Sequence, residues 1–189
     1  MELITLKNKN KHKIIEDVLL YPLKVNIDET GGTLVETLRR DWKDIYGPDR
    51  QFHMQYFSVT PTGVARDEKV WHLHYGQEDR FLLAQGEVVV AVADFRKESK
   101  TNGLLNLFLI NSIEDPYVVL IPKGTLHGFM VVSKENAILI NFPTALYNPD
   151  DELRIPYREA NIKLASDKPF SWDIVREKFP KLSKPSYDN

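Results

Sequence analysis

From Phe52 to Phe142 the apolar residues fall into short runs, each closed by Gly, Pro, Asn, Asp or charged side chains. The runs cover Gln51 to Thr60, Arg80 to Ala84, Glu87 to Phe95, Leu104 to Asn111, Tyr117 to Ile121, Gly128 to Val132 and Ala137 to Phe142. They are rich in β-branched and aromatic residues, too short for helices and closely spaced, which predicts strands of an antiparallel sandwich or barrel rather than a parallel α/β sheet. Gln85-Gly86 predicts a tight hairpin, Pro61-Thr62-Gly63 a turn, and Lys97 to Gly103 a more open polar connection. Upstream the period changes. Leu34, Leu38, Trp42, Ile45 and Tyr46 fall on one stripe of a helix that Gly47-Pro48 would stop. Past Phe142 the chain turns polar and proline-rich, with a short amphipathic piece around Trp172, Val175 and Phe179 and a Lys/Ser/Pro tail expected to fray at Asp188-Asn189.

The expectation is a mainly β protein: one antiparallel barrel domain over 1–189, with N-terminal strands and a short helix in 1–50, a β core in 51–147 and a helical and loop wrap in 148–189. Composition narrows the function classes. At 42% hydrophobic residues the chain can build a core. Its 25 Lys and Arg against 27 Asp and Glu leave no basic excess for nucleic acid. The absence of Cys removes disulfides, thiolate metal sites and Cys nucleophiles. No apolar run is long enough for a membrane helix, and the N-terminus does not read as a signal peptide, so a soluble cytoplasmic protein is expected.

Histidines carry the candidate chemistry. In Val70-Trp71-His72-Leu73-His74-Tyr75 a strand sends His72 and His74 to one face, and Trp71 and Tyr75 to the other as packing residues. Glu78 follows, and Pro122-Lys123-Gly124-Thr125-Leu126-His127 delivers a third imidazole at the start of a strand. His12 and His53 stand apart and read as ordinary surface or structural residues.

The spacings His-x-His-x-x-x-Glu and Pro-x-Gly-x-x-His resemble the two motifs of the cupin superfamily, whose fold is a small jelly-roll barrel with the motif residues facing inward. In metal cupins those positions bind one divalent ion; the resemblance puts the ligands on His72, His74, Glu78 and His127, a set suited to Fe, Mn, Ni or Zn.

A longer resemblance covers most of the chain. Gly32 to Trp42, Ser58 to Val64, Trp71 to His74, Gly86 to Arg96, Ile121 to Phe129 and Asn141-Phe142-Pro143-Thr144-Ala145-Leu146-Tyr147-Asn148-Pro149 are similar to the dTDP-4-dehydrorhamnose 3,5-epimerase family, in a divergent branch. The resemblance implies a homodimeric jelly roll that binds a deoxysugar on a nucleotide diphosphate and removes the proton next to a 4-keto group, with no cofactor. The family base falls on His74. Glu36, Arg66 and His127 match substrate-contact positions, and Asn141 is carried over as a further contact. The pattern also departs from the family: Asn141 stands where the catalytic Tyr is expected, Asp79 for a Lys, Phe179 for the Asp paired with the base, and Gly31 for an Arg. Tyr147 is the nearest replacement for the lost hydroxyl. Three readings remain open: an epimerase using His74, a metal-dependent cupin enzyme, and a non-catalytic sugar-binding cupin.

Overall fold

The computed structural model describes residues 2–160, 162, 164 and 168–182; the expected frayed end at Asp188-Asn189 lies outside them. Twelve strands run among the described residues: β1 (Leu19–Pro22), β2 (Val25–Ile27), β3 (Thr33–Val35), β4 (Tyr56–Thr60), β5 (Val70–Leu73), β6 (Asp79–Gln85), β7 (Glu87–Asp94), β8 (Leu105–Asn111), β9 (Tyr117–Ile121), β10 (Thr125–Val131), β11 (Ala137–Asn141) and β12 (Leu153–Pro156). Two five-stranded antiparallel sheets face each other, in the orders β1-β9-β6-β11-β4 and β12-β5-β10-β7-β8. This is the expected antiparallel jelly roll.

Strand alternation divides the apolar residues among three layers. Phe81, Leu83, Val88, Val90, Val92, Phe129, Val131 and Leu139 point between the sheets and form the interior core. The alternate residues of the second sheet (Trp71, Leu73, Val89, Ala91, Met130) face outward, where Tyr157, Phe170, Trp172 and Val175 of the C-terminal segment cover them. The single helical turn α1 (Asp173–Arg176) sits in this cover, so the predicted wrap is present. Its Trp172 donates an indole N–H to the Tyr157 hydroxyl at 2.6 Å.

The predicted N-terminal helix does not form. Thr33–Val35 pair with Val25–Ile27 as a hairpin, Leu34 is exposed, and Leu38, Trp42 and Ile45 follow in a run of turns. Those turns press Ile45, with Leu38 and Trp42, against Leu82 and Val118 on the outside of the first sheet. The apolar spacing recorded burial against a sheet, which turns satisfy as well as a helix. β-branched Thr33 and Val35 favour the strand, and Asp28 closes the hairpin by accepting from Thr30 N, Thr30 Oγ1 and Gly32 N, with Gly31 at φ 83°.

Asp94, at the end of β7, fastens the polar connection that follows. Burial of its carboxylate opposes ionisation, but donors on Arg96, Ser99 and Thr101 outweigh it and hold the group at about 2, against an ordinary 3.8. A depressed carboxylate stabilises the fold above its unfolded pKa and loses that contribution as pH falls through the folded one. We expect Asp94 to add ~2 kcal/mol above pH 4 and to lose it approaching pH 2. Urea unfolding across that range should show the stability gap between wild type and Asp94→Asn closing by that amount; parallel curves would refute it.

Candidate active site

The strand ends gather the polar residues at one end of the barrel. His72 on β5 lies directly opposite His127 on β10, and Tyr56 on β4 opposite Asn141 on β11. His74, just past β5, faces the same way as His72, and Asp79 opens β6 on the other sheet. All of these but Asn141, together with Arg66, Asp67, Ser58 and a floor of Phe81, Phe129 and Leu139, line a cleft of about 110 Å³ that opens to solvent. An outer hollow continues past Tyr56, Arg66 and His74 to Tyr147, Glu152 and Arg154.

The three imidazoles converge as strand parity predicts. The His127 ring centroid lies 6.1 Å from that of His72 and 5.6 Å from that of His74. Asp79 is fully buried, with Oδ2 at 3.2 Å from His127 Nε2 and 3.8 Å from His74 Nε2. Burial pushes its pKa up, but His127, His74 and Asn141 pull it further down, so it stays ionised. His74 Nδ1 is 2.8 Å from the carbonyl oxygen of Asp151. A carbonyl only accepts, so in the neutral ring Nδ1 carries the proton and Nε2 keeps its lone pair. His72 Nε2 contacts Asp67 Oδ2 at 2.5 Å. Burial, helped by His127, lowers the pKa of His72 against the pull of Asp67. Asp67 reaches it from a left-handed backbone conformation (φ 57°), which Asp tolerates better than most residues.

Several expected roles fall elsewhere. Glu78 does not join the histidines: its carboxylate takes two hydrogen bonds from Arg50, at 2.6 and 3.1 Å. On β6 Asp79, Phe81 and Leu83 point inward, so Glu78 belongs to the outward series. With His72 engaged by Asp67, the set His72, His74, Glu78 and His127 is not assembled. His74, Asp79 and His127 present ligand atoms within 4.8 Å of one another and are the trio that could hold a divalent ion. Glu36, expected at the substrate, is exposed, paired with Arg39 at 2.9 Å and outside the cleft lining, because its segment follows the β2–β3 hairpin instead of forming a helix. Asn141 is buried behind the cleft with its amide saturated: Oδ1 accepts from Arg80 N, and Nδ2 donates to Tyr56 Oη and Asp79 Oδ1. It is not among the residues that line the cleft. Tyr147 stands at the outer mouth, 65% exposed, its hydroxyl donating to Glu152, because the chain turns away after Pro143. Phe179 packs on the outside of the second sheet, so no partner for the base comes from there. Arg66 does reach the cleft. The sequence reading missed Tyr56, Asp67 and Arg154.

The chain matches the family model described as dTDP-4-dehydrorhamnose 3,5-epimerase over residues 12–180. It belongs to that family. The probable low-salt glycan biosynthesis epimerase of Haloferax volcanii is 42% identical over 147 residues, covering 76% of this chain and 88% of that protein. The dTDP-4-dehydrorhamnose 3,5-epimerase of Salmonella typhimurium is 30% identical over 160 residues, 83% and 84% of the two chains. Among solved structures, the dTDP-6-deoxy-D-glucose-3,5-epimerase of Legionella pneumophila in complex with dTDP-4-keto-L-rhamnose superposes with a TM-score of 0.69 at 25% identity, covering 82% of this chain and 80% of that one. The dTDP sugar isomerase of Desulfovibrio desulfuricans shares the fold, with a TM-score of 0.70 at 24% identity over 84% and 92% of the chains. These likenesses support the epimerase reading over the metal-dependent one. Membership of the family makes the chain an isomerase-class enzyme, and among its described residues no helix is long and apolar enough to cross a membrane.

Proposed function

We propose that this enzyme epimerises a dTDP-4-keto-6-deoxysugar at the carbons flanking the ketone, with His74 as the general base. One observation carries the reading: the Asp151 carbonyl fixes the His74 tautomer, leaving Nε2 free to take a proton, with Asp79 below to stabilise the resulting imidazolium. Removing a proton next to a ketone needs no redox partner, because the carbonyl accepts the electron pair, so the reaction runs without a cofactor. His127 donates to Asp79 and keeps that carboxylate beneath the base. Arg66 and Arg154 at the outer hollow are the cations for the diphosphate, and Tyr147 is the aromatic contact at its mouth.

The enzyme acts in the cytoplasm as a homodimer under this reading. Exposed Ile27 and Leu34 on the β2–β3 hairpin, with Phe57 and Val59 on the outer face of β4, are the apolar surface a second copy would cover. NMR of the protein with a dTDP-4-keto-6-deoxysugar in D₂O tests the reaction. Solvent deuterium should enter at both carbons beside the ketone, with appearance of the inverted sugar. A folded protein that gives no exchange over a long incubation refutes the proposal.

A further inference from the structure

Inversion at carbon needs two groups: a base that takes the proton on one face and an acid that returns one on the other. His74 approaches the cleft from the second sheet. On the facing sheet the cleft presents Tyr56, Ser58 and Asp79 as its polar side chains among the described residues. Both Asp79 oxygens are taken up as acceptors, Oδ1 by the side-chain amides of Asn141 and Gln77 and Oδ2 by His127, so it is not placed to hand a proton to the substrate. A serine hydroxyl is too weak an acid to protonate an enolate carbon at a useful rate.

The hydrogen bonding around Tyr56 is directional. Asn141 Oδ1 accepts from the backbone N–H of Arg80, which fixes its Nδ2 as the end facing Tyr56, and Nδ2 donates to the Tyr56 oxygen at 2.9 Å. The tyrosine oxygen accepts there, so its own O–H is free to point into the cleft. The second N–H of the same amide donates to Asp79 at 2.8 Å, tying the acid's position to the carboxylate under the base.

We infer that Tyr56 is the proton donor that completes inversion, standing across the cleft from His74 and held by Asn141. The assignment rests on the epimerase reading above. His74 Nε2 takes the proton from the carbon beside the ketone; the C–H pair becomes the C=C bond as the carbonyl pair moves onto oxygen. Collapse of the enolate draws the Tyr56 proton onto that carbon from the opposite face. The amide N–H of Asn141 stabilises the tyrosinate, which recovers a proton from water at the cleft mouth, while His74 releases its own to water. Inversion is the only net change. Burial, with the Asp79 charge adding to it, raises the Tyr56 hydroxyl to about 12, so the residue stays protonated and able to donate between turnovers.

Tyr56→Phe isolates this step, since it keeps the ring on an edge strand and removes only the hydroxyl. With a dTDP-4-keto-6-deoxysugar in D₂O, the variant should bind dTDP within about 3-fold of wild type by calorimetry and still exchange the ring proton with retention through His74. Inversion should slow by about 100-fold or more. Inversion within about 3-fold of wild type overturns the assignment. So does a parallel loss of exchange and inversion with dTDP binding intact, which would give Tyr56 a part in the first step or in geometry alone. Wild-type protein that neither exchanges nor inverts this sugar is a separate result: it removes the epimerase reading, and this assignment with it.

Discussion

Replacing His74 with Asn should abolish both proton exchange and epimerisation, with a fall of about 10³-fold or more in kcat, while dTDP binding stays near wild type. The choice of Asn follows from the contacts of the ring. Nδ1 of His74 donates to the Asp151 carbonyl at 2.8 Å, and an Asn amide reproduces that donor without placing a basic nitrogen where Nε2 lies. The Asp151 side chain also accepts from the backbone N–H groups of Tyr75 and Gly76, so this corner should keep its shape in the variant. What is lost is the base and the imidazolium that Asp79 would stabilise. His72 is the internal comparison. It shares a face with His74, but its Nε2 is engaged by Asp67, and His72→Asn should cost less than His74→Asn. Exchange in deuterated solvent reads the first proton transfer directly. A His74→Asn protein that still exchanges at more than a tenth of the wild-type rate would move the base elsewhere, with His72 the first candidate.

Much of this site is legible in the sequence because strand parity needs no partner. Two histidines separated by one residue in a β-branched and aromatic run share a face whatever the sheet order, and a Pro-Lys-Gly turn before His127 starts a new strand. Asp79 needed one more step. Phe81 and Leu83 share the inward face of β6, and counting back by two reaches Asp79 rather than Glu78. Motif spacing alone selected the residue on the wrong side. Tyr56 and Asn141 could not be joined from sequence, since their meeting depends on β4 pairing with β11 across more than eighty residues. The hairpin at Val25–Val35 was hidden for a different reason: its flanking residues carry a helical spacing because they cover a sheet. β12 was hidden because it is an edge strand of mixed polarity behind two prolines.

Arg80→Met should be the most destabilising single change among the site's supports, costing about 4 kcal/mol and lowering Tm by roughly 10 °C. The Arg80 side chain is fully buried and meets backbone carbonyls on three sides: its guanidinium donates to Phe142 O at 2.6 Å, Arg50 O at 2.8 Å, Ile45 O at 2.9 Å and Gln51 O at 3.2 Å. Burial works against its charge, yet an arginine remains protonated at any pH at which the protein folds. The side chain bolts the turns at residues 45–51 onto β6 and onto the chain leaving β11. Methionine fills similar volume but leaves those acceptors without a donor, and the penalty of unsatisfied buried groups exceeds the modest net gain of forming each bond. Lysine keeps the charge but presents it as a point instead of a fork, so Arg80→Lys should recover less than half of the loss. The damage should reach catalysis, because the Arg80 backbone N–H holds Asn141 Oδ1 and through it Tyr56 and Asp79. Thermal melts of the two variants, with turnover measured well below their midpoints, check both parts. An Arg80→Met protein that melts within 2 °C of wild type would show that water replaces the guanidinium at little cost, and that the cover over the first sheet stands on Leu82 and Val118 packing alone.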